Sequence, residues 1–166
     1  MARRPAKKAA KKSAKKAPKK APKKSAKKTA KRTGAPATRK ATRTEIAAPD
    51  IPLHPQPFPT ACKVGNMVFS SAISGEDPVT HEFSSDPRSQ VENAFRTVRR
   101  VMEEAGGGLD NIGKVVVYVK DRDIRPIVNE VWQKVFANEK SRPVRHMVPF
   151  DLPPGRHLQV EFIAVL

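Results

Sequence analysis

The stretch RPVRHMVPFDLPPGRHLQVEFIAVL, residues 142–166, holds the side chains best suited to chemistry. It reads as strand, turn, strand, with Arg145 near the start of the first strand and Glu161 among apolar neighbours in the second. A charge inside a sheet is costly unless it is paired or put to use. Arg145 suits either a bidentate grip on a carboxylate, a geometry lysine lacks, or a salt bridge at a subunit interface. Glu161 suits either water activation or a structural ion pair. His146, next to Arg145, would titrate near neutral pH as an acid or base, or simply pack. Other chemistries find little support. His54, His81, His146 and His157 form no close ligand pair and Cys62 has no cysteine partner, so no metal site is expected. The glycine run 106–108 follows a helical pattern instead of preceding one, so it is no phosphate loop. Cys62, on an apolar run, reads as a core residue, and a lone cysteine fits a reducing, cytoplasmic setting.

These side chains need a scaffold, and the chain spells one out. Residues 46–60, with five prolines, read as an extended lead-in. The runs ACKV and MVFSSAI flank Gly65 and Asn66, which predicts a hairpin. Asp86 as N-cap and Pro87 at the first position open a helix. Its Val91, Ala94, Phe95, Val98, Val101, Met102 and Ala105 recur at helical spacing, and glycines 106–108 end it. KVVVYV, residues 114–119, is a continuous apolar run and so a buried strand. A second helix over 124–137 places Ile124, Ile127, Val128, Val131, Trp132, Val135 and Phe136 on one face. Strands near 143–149 and 157–165 follow. The order β-β-α-β-α-β-β predicts an α+β domain, one mixed sheet with both helices on one face. Residues 115–119 and 162–165 are apolar on both sides, so the second sheet face also needs cover, most simply by self-association.

The 166-residue chain carries a formal charge of +17, nearly all of it in one part. Residues 1–45 hold 19 Lys and Arg against one acid, a charge of +18, whereas residues 46–166 hold 14 against 15, a charge of −1. From Pro5 to Arg32 a four-residue repeat runs PAKK, AAKK, SAKK, APKK, APKK, SAKK, TAKR. Four residues overshoot a helical turn by ~40°, so the lysine pairs would spiral around any helix, and Pro18 and Pro22 would break it. With no large apolar residue to offset the ordering entropy, this tail is expected to be disordered. It resembles the Lys/Ala/Pro tails of linker histones and histone-like bacterial proteins. Lys7, Lys8, Lys11, Lys12, Lys15, Lys16, Lys19, Lys20, Lys23, Lys24, Lys27, Lys28, Lys31 and Arg32 then become candidate contacts to a polyanion, whether DNA, RNA or polyphosphate. Such binding would arise from counterion release without sequence preference, and would make a nucleoid association plausible chemistry. A purely solubilising tail is the plainer alternative. No apolar run reaches the ~20 residues that span a bilayer, and no secretory h-region opens the chain, so no membrane role is expected.

Four blocks, KVGNMVFSS, EEAGGGLDNIGKVVVYVKD, VNEVWQKVF and RPVRHMVPFDLPPG…VEFIAVL, give the domain a further meaning. In order and spacing they resemble the Rid proteins, the reactive-intermediate deaminases, also called YjgF or L-PSP endoribonuclease proteins. The resemblance covers about residues 55–166. It implies a chorismate-mutase-like fold and a homotrimer with clefts between subunits. It also implies cofactor-free hydrolysis of reactive 2-imino and enamine acids to 2-keto acids and ammonia. Arg145 matches the family arginine that grips the substrate carboxylate, and the backbone at Met147 would help place the imine carbon. Ser71 and Asn129 match cleft positions.

Several positions depart from the family pattern. The family ending V-E-I-E-A-I-A places a water-positioning glutamate where this chain has Gln159, while Glu161 matches the second glutamate. A glutamine can hold a water but is no general base. Residues 159 and 161 share a strand face, so Glu161 could stand in. Phe58 replaces a tyrosine at the cleft mouth, and Ala72 a glycine after the cleft serine. Two other readings stay open: a non-catalytic trimer that binds a small carboxylate, and a histone-like nucleic-acid-binding protein whose domain multimerises the tail.

Overall fold

The computed structural model describes residues 42–166; the candidate polyanion contacts from Lys7 to Arg32 lie outside the described residues. Strand β1 (Arg43–Ile46) leads, followed by β2 (Ala61–Val64) and β3 (Met67–Ser70). The β2–β3 turn is tight because Gly65 adopts a φ of 63°, open to glycine at little cost. The run after β3 breaks at Ser71 and Ala72, and a short β4 (Ile73–Ser74) resumes it.

Helix α1 (Pro87–Glu104) begins as its sequence dictates. The Asp86 carboxylate accepts from the N–H groups of Arg88 and Ser89, and Pro87 gives up no useful donor there. It ends where Gly106 turns left-handed at φ 84° and Gly107 donates to the Met102 carbonyl at 2.9 Å. The chain continues through β5 (Ile112–Val119), α2 (Arg125–Val135), β6 (Val144–Pro149) and β7 (Leu158–Val165).

The strands form one sheet in the order β1-β2-β3-β7-β5-β6, with β4 also paired to β7. Only β5 and β6 run parallel, joined through α2, so the sheet is mixed as expected. Val115, Val117 and Val119 of β5, with Leu158, Val160, Phe162 and Ala164 of β7, are buried against the helices. The facing helix residues include Val91, Phe95, Val98 and Met102 of α1 and Val128, Val131 and Trp132 of α2. Gln90, fully buried in α1, fastens the surrounding loops: its amide donates to the carbonyls of Ser84 and Gly155, and its oxygen accepts from the His157 N–H. Gly75 must be glycine here, since a Cβ would lie 2.5 Å from the Gln90 Cβ.

The opposite sheet face carries Val116, Tyr118, Glu161 and Ile163, all partly exposed. Two strands were not foreseen, β1 and β4. β1 starts at Arg43, inside the stretch assigned to the tail, because antiparallel pairing with β2 recruits it despite a single buried residue, Ile46. No helix among the described residues is long and apolar enough to cross a membrane.

Candidate functional site

Arg145 lies on β6 in parallel register with Val115, so it points to the helix side of the sheet. There its guanidinium stacks on the Trp132 ring, 4.8 Å from the centroid. Nη2 donates to the Asn129 side-chain amide oxygen, Oδ1, at 2.6 Å. Nη1 is buried and has no hydrogen-bond partner. Among the described residues no carboxylate forms an ion pair with it. Burial, with the nearby charge of Arg125, holds the guanidinium below its usual pKa. A part-buried cation that lacks a counter-charge and keeps an unused donor can accept an anion. Met147, two residues along β6 on the same side, packs against the core and pairs with Val117.

The other candidate residues gather elsewhere. A cavity of about 230 Å³ opens between residues 52–56, β4 and α1. Ser71, Ala72, Ser74, Arg156 and Gln159 contribute to its wall. The Ser71 hydroxyl is committed to the Thr60 carbonyl at 3.1 Å. Thr97, on α1, also lines this space with a buried hydroxyl that has no partner. Phe58 is not part of the wall. It is 49% exposed and leans on His54, which is, with ring centroids 3.9 Å apart. Gln159 pairs with Tyr118 across β5 and β7, on the open side of the sheet.

Glu161 shares that open side but does not line the cavity. Its carboxylate accepts from the Tyr118 hydroxyl at 2.9 Å. That hydrogen bond, with burial and the carboxylate charge, pushes the Tyr118 phenol above its ordinary pKa, so it stays protonated. His146 is exposed on β6. Among the described residues no group of three or more His, Cys, Asp or Glu could hold a metal.

The structure therefore joins Arg145 to Asn129, and Ser71 to Gln159, but sets the two pairs apart. Arg145 faces the helices, whereas Gln159 faces the open side two strands away. One chain does not bring both to one small ligand. Sequence reasoning placed Trp132 in the core and so missed it as the platform beneath Arg145. Its three-residue spacing from Asn129, which puts both on one helix face, was the available signal.

The family model described as "Endoribonuclease L-PSP" matches residues 50–166. A "RutC family protein" of Aquifex aeolicus is 30% identical over 122 residues, 73% of this chain and 98% of its own length. A "2-iminobutanoate/2-iminopropanoate deaminase" of Escherichia coli K12 is 29% identical over 122 residues, covering 72% of this chain and 95% of that protein. The crystal structure of RidA from the Antarctic bacterium Psychrobacter sp. PAMC 21119 aligns with a TM-score of 0.70 at 29% identity, covering 74% of this chain and 99% of that one.

Proposed function

Since the chain belongs to the L-PSP endoribonuclease family, also called Rid or YjgF, we propose that it hydrolyses reactive 2-imino and enamine acids to 2-keto acids and ammonia. The observation that carries this reading is Arg145: stacked on Trp132, steadied by Asn129, and unpaired with any carboxylate among the described residues. The substrate carboxylate supplies the missing charge. Water then adds to the imine carbon and one of its protons passes to nitrogen; the second, from the new hydroxyl, follows as the C–N bond breaks, releasing ammonia and leaving the ketone. No redox partner or cofactor is needed for that balance. Gln159 holds the water by hydrogen bonding, and because imines hydrolyse readily, positioning supplies the acceleration. Glu161 accepts from the Tyr118 hydroxyl, which supports a structural role for it over that of base. The test is release of keto acid and ammonia from freshly generated 2-iminopropanoate; a rate equal to the buffer control would sink the reading.

A second copy of the chain closes the site in this proposal, with Arg145 and Asn129 from one subunit meeting Ser71 and Gln159 of the next in a homotrimer. The open sheet face, with Val144 67% and Phe150 55% exposed nearby, supports it. Light scattering on residues 42–166 should give three times the chain mass; a stable monomer at micromolar concentration would remove the shared cleft.

Gln159→Glu is expected to leave imine turnover equal or raise it, since it restores a carboxylate beside the water. A clear loss on that substitution would mean that this cleft works differently. The second reading, a non-catalytic trimer that binds a small carboxylate at Arg145, is favoured by carboxylate binding without imine turnover in the wild type. The tail adds a polyanion-binding arm to this cytoplasmic enzyme, and DNA as the polyanion would place it at the nucleoid. The reading rests on its charge of +18 against −1 for the domain.

A further inference from the structure

We propose that Arg125 is a second anion-binding residue beside Arg145, and that the preferred ligand is therefore a 2-imino dicarboxylate, with one carboxylate for each arginine. This rests on the deaminase reading for the imine group, but the charge argument stands on its own geometry. Arg125, Asn129 and Trp132 fall four and then three residues apart on α2, so they line one helix face. The last two already touch Arg145, one by a hydrogen bond and one by stacking. Arg125 continues that row by one turn, at the exposed end. Four residues of helix rise about 6 Å, a span that a four- or five-carbon dicarboxylate and an arginine's own reach together cover.

The local charges point the same way. Among the described residues neither Arg125 nor Arg145 forms an ion pair, although Glu130 of the same helix does, with Arg88. Two guanidinium groups held near each other without a counter-ion repel. The presence of Arg125 is felt at Arg145, where it adds to the effect of burial in disfavouring the charged form. A monocarboxylate would neutralise one of the two cations. A dicarboxylate would neutralise both, and each planar fork would meet a planar oxygen pair. Arg125 is thus a specificity residue for the side chain of the substrate, while Arg145 holds the carboxylate next to the imine.

The keto products are stable stand-ins for the imines. Calorimetric titration of the full chain with 2-oxoglutarate and with 2-oxobutanoate, at one salt concentration, reads the preference directly. The wild-type protein should bind the dicarboxylate roughly tenfold tighter or more, the scale of one charge-assisted hydrogen-bonded pair. Arg125→Leu should reduce that ratio at least about fivefold, and Arg125→Lys should keep part of it. The tail is common to all three proteins and drops out of the comparison. Equal affinities in the wild type, no binding of either acid, or an unchanged ratio in Arg125→Leu would each overturn the proposal; if the Leu variant does not fold, an undiminished ratio in Arg125→Ala does the same. A dicarboxylate preference that depends on Arg125, in a protein that fails to turn over imines, would leave this inference standing and defeat only the deaminase reading.

Discussion

Arg145→Lys should lower imine turnover about a hundredfold or more while the domain stays folded. Lysine keeps the charge but presents a point cation in place of a planar fork, and a reacting carbon displaced by about 1 Å costs on that order. The substitution also gives up the stacking geometry on Trp132 and the short bond to Asn129. Because the side chain sits at the sheet edge with one nitrogen already unpartnered, its loss should not collapse the core. The measurement is initial rate of keto-acid release by both proteins at equal concentration, with circular dichroism and light scattering as controls on fold and assembly. Undiminished turnover in a folded variant would assign Arg145 to an interface salt bridge and remove it from the chemistry.

The second large effect is electrostatic. The full chain is expected to bind duplex DNA, RNA or polyphosphate, and residues 42–166 alone are not. Binding to duplex should fall with salt at a log–log slope of about −0.9 per phosphate neutralised. If roughly six phosphates are engaged, affinity should drop about a thousandfold between 50 and 200 mM salt. Three tails on one trimer would raise the apparent affinity through effective concentration, without new contacts. A shift assay across a salt series settles the matter: tight binding by the tail-less domain, or salt-independent binding by the whole chain, contradicts this division of labour. Imine turnover should be similar with and without the tail.

Most of the domain's elements were legible because local chemistry decides them. Asp86, Pro87 and the glycines 106–108 bracket α1, and the β-branched apolar run in β5 reads as a strand, which the structure buries on its helix-facing side. β1 escaped notice because RTEI has one apolar residue and no alternation; the free edge of β2 makes it a strand. β4 was merged with β3, since nothing in MVFSSAI marks where the pairing breaks. At the site, the resemblance to a known family pointed to Arg145, Asn129, Ser71 and Gln159. That the first two face the helices and Gln159 the open side was not legible. Facing depends on register and strand order, which couple residues distant in sequence. The same non-locality hid Tyr118 as the partner of Glu161, since they lie on antiparallel strands 43 positions apart.

The position of β7 has a consequence for how the protein is made. It is the last of the strands in chain order, yet it lies between β3 and β5 and also pairs with β4. Until it emerges from the ribosome, the β1–β4 segment and the β5–α2–β6 crossover have no strand to join them. Pairs such as Val68 with Ala164 close across most of the domain, a contact of high entropic cost that forms late. During synthesis both half-sheets expose unpaired edges, the condition in which nascent chains aggregate. A ribosome stalled short of Leu158 therefore carries a chain with neither a completed sheet nor a Gln159 side of the cleft, so chaperone demand for this protein falls late in translation.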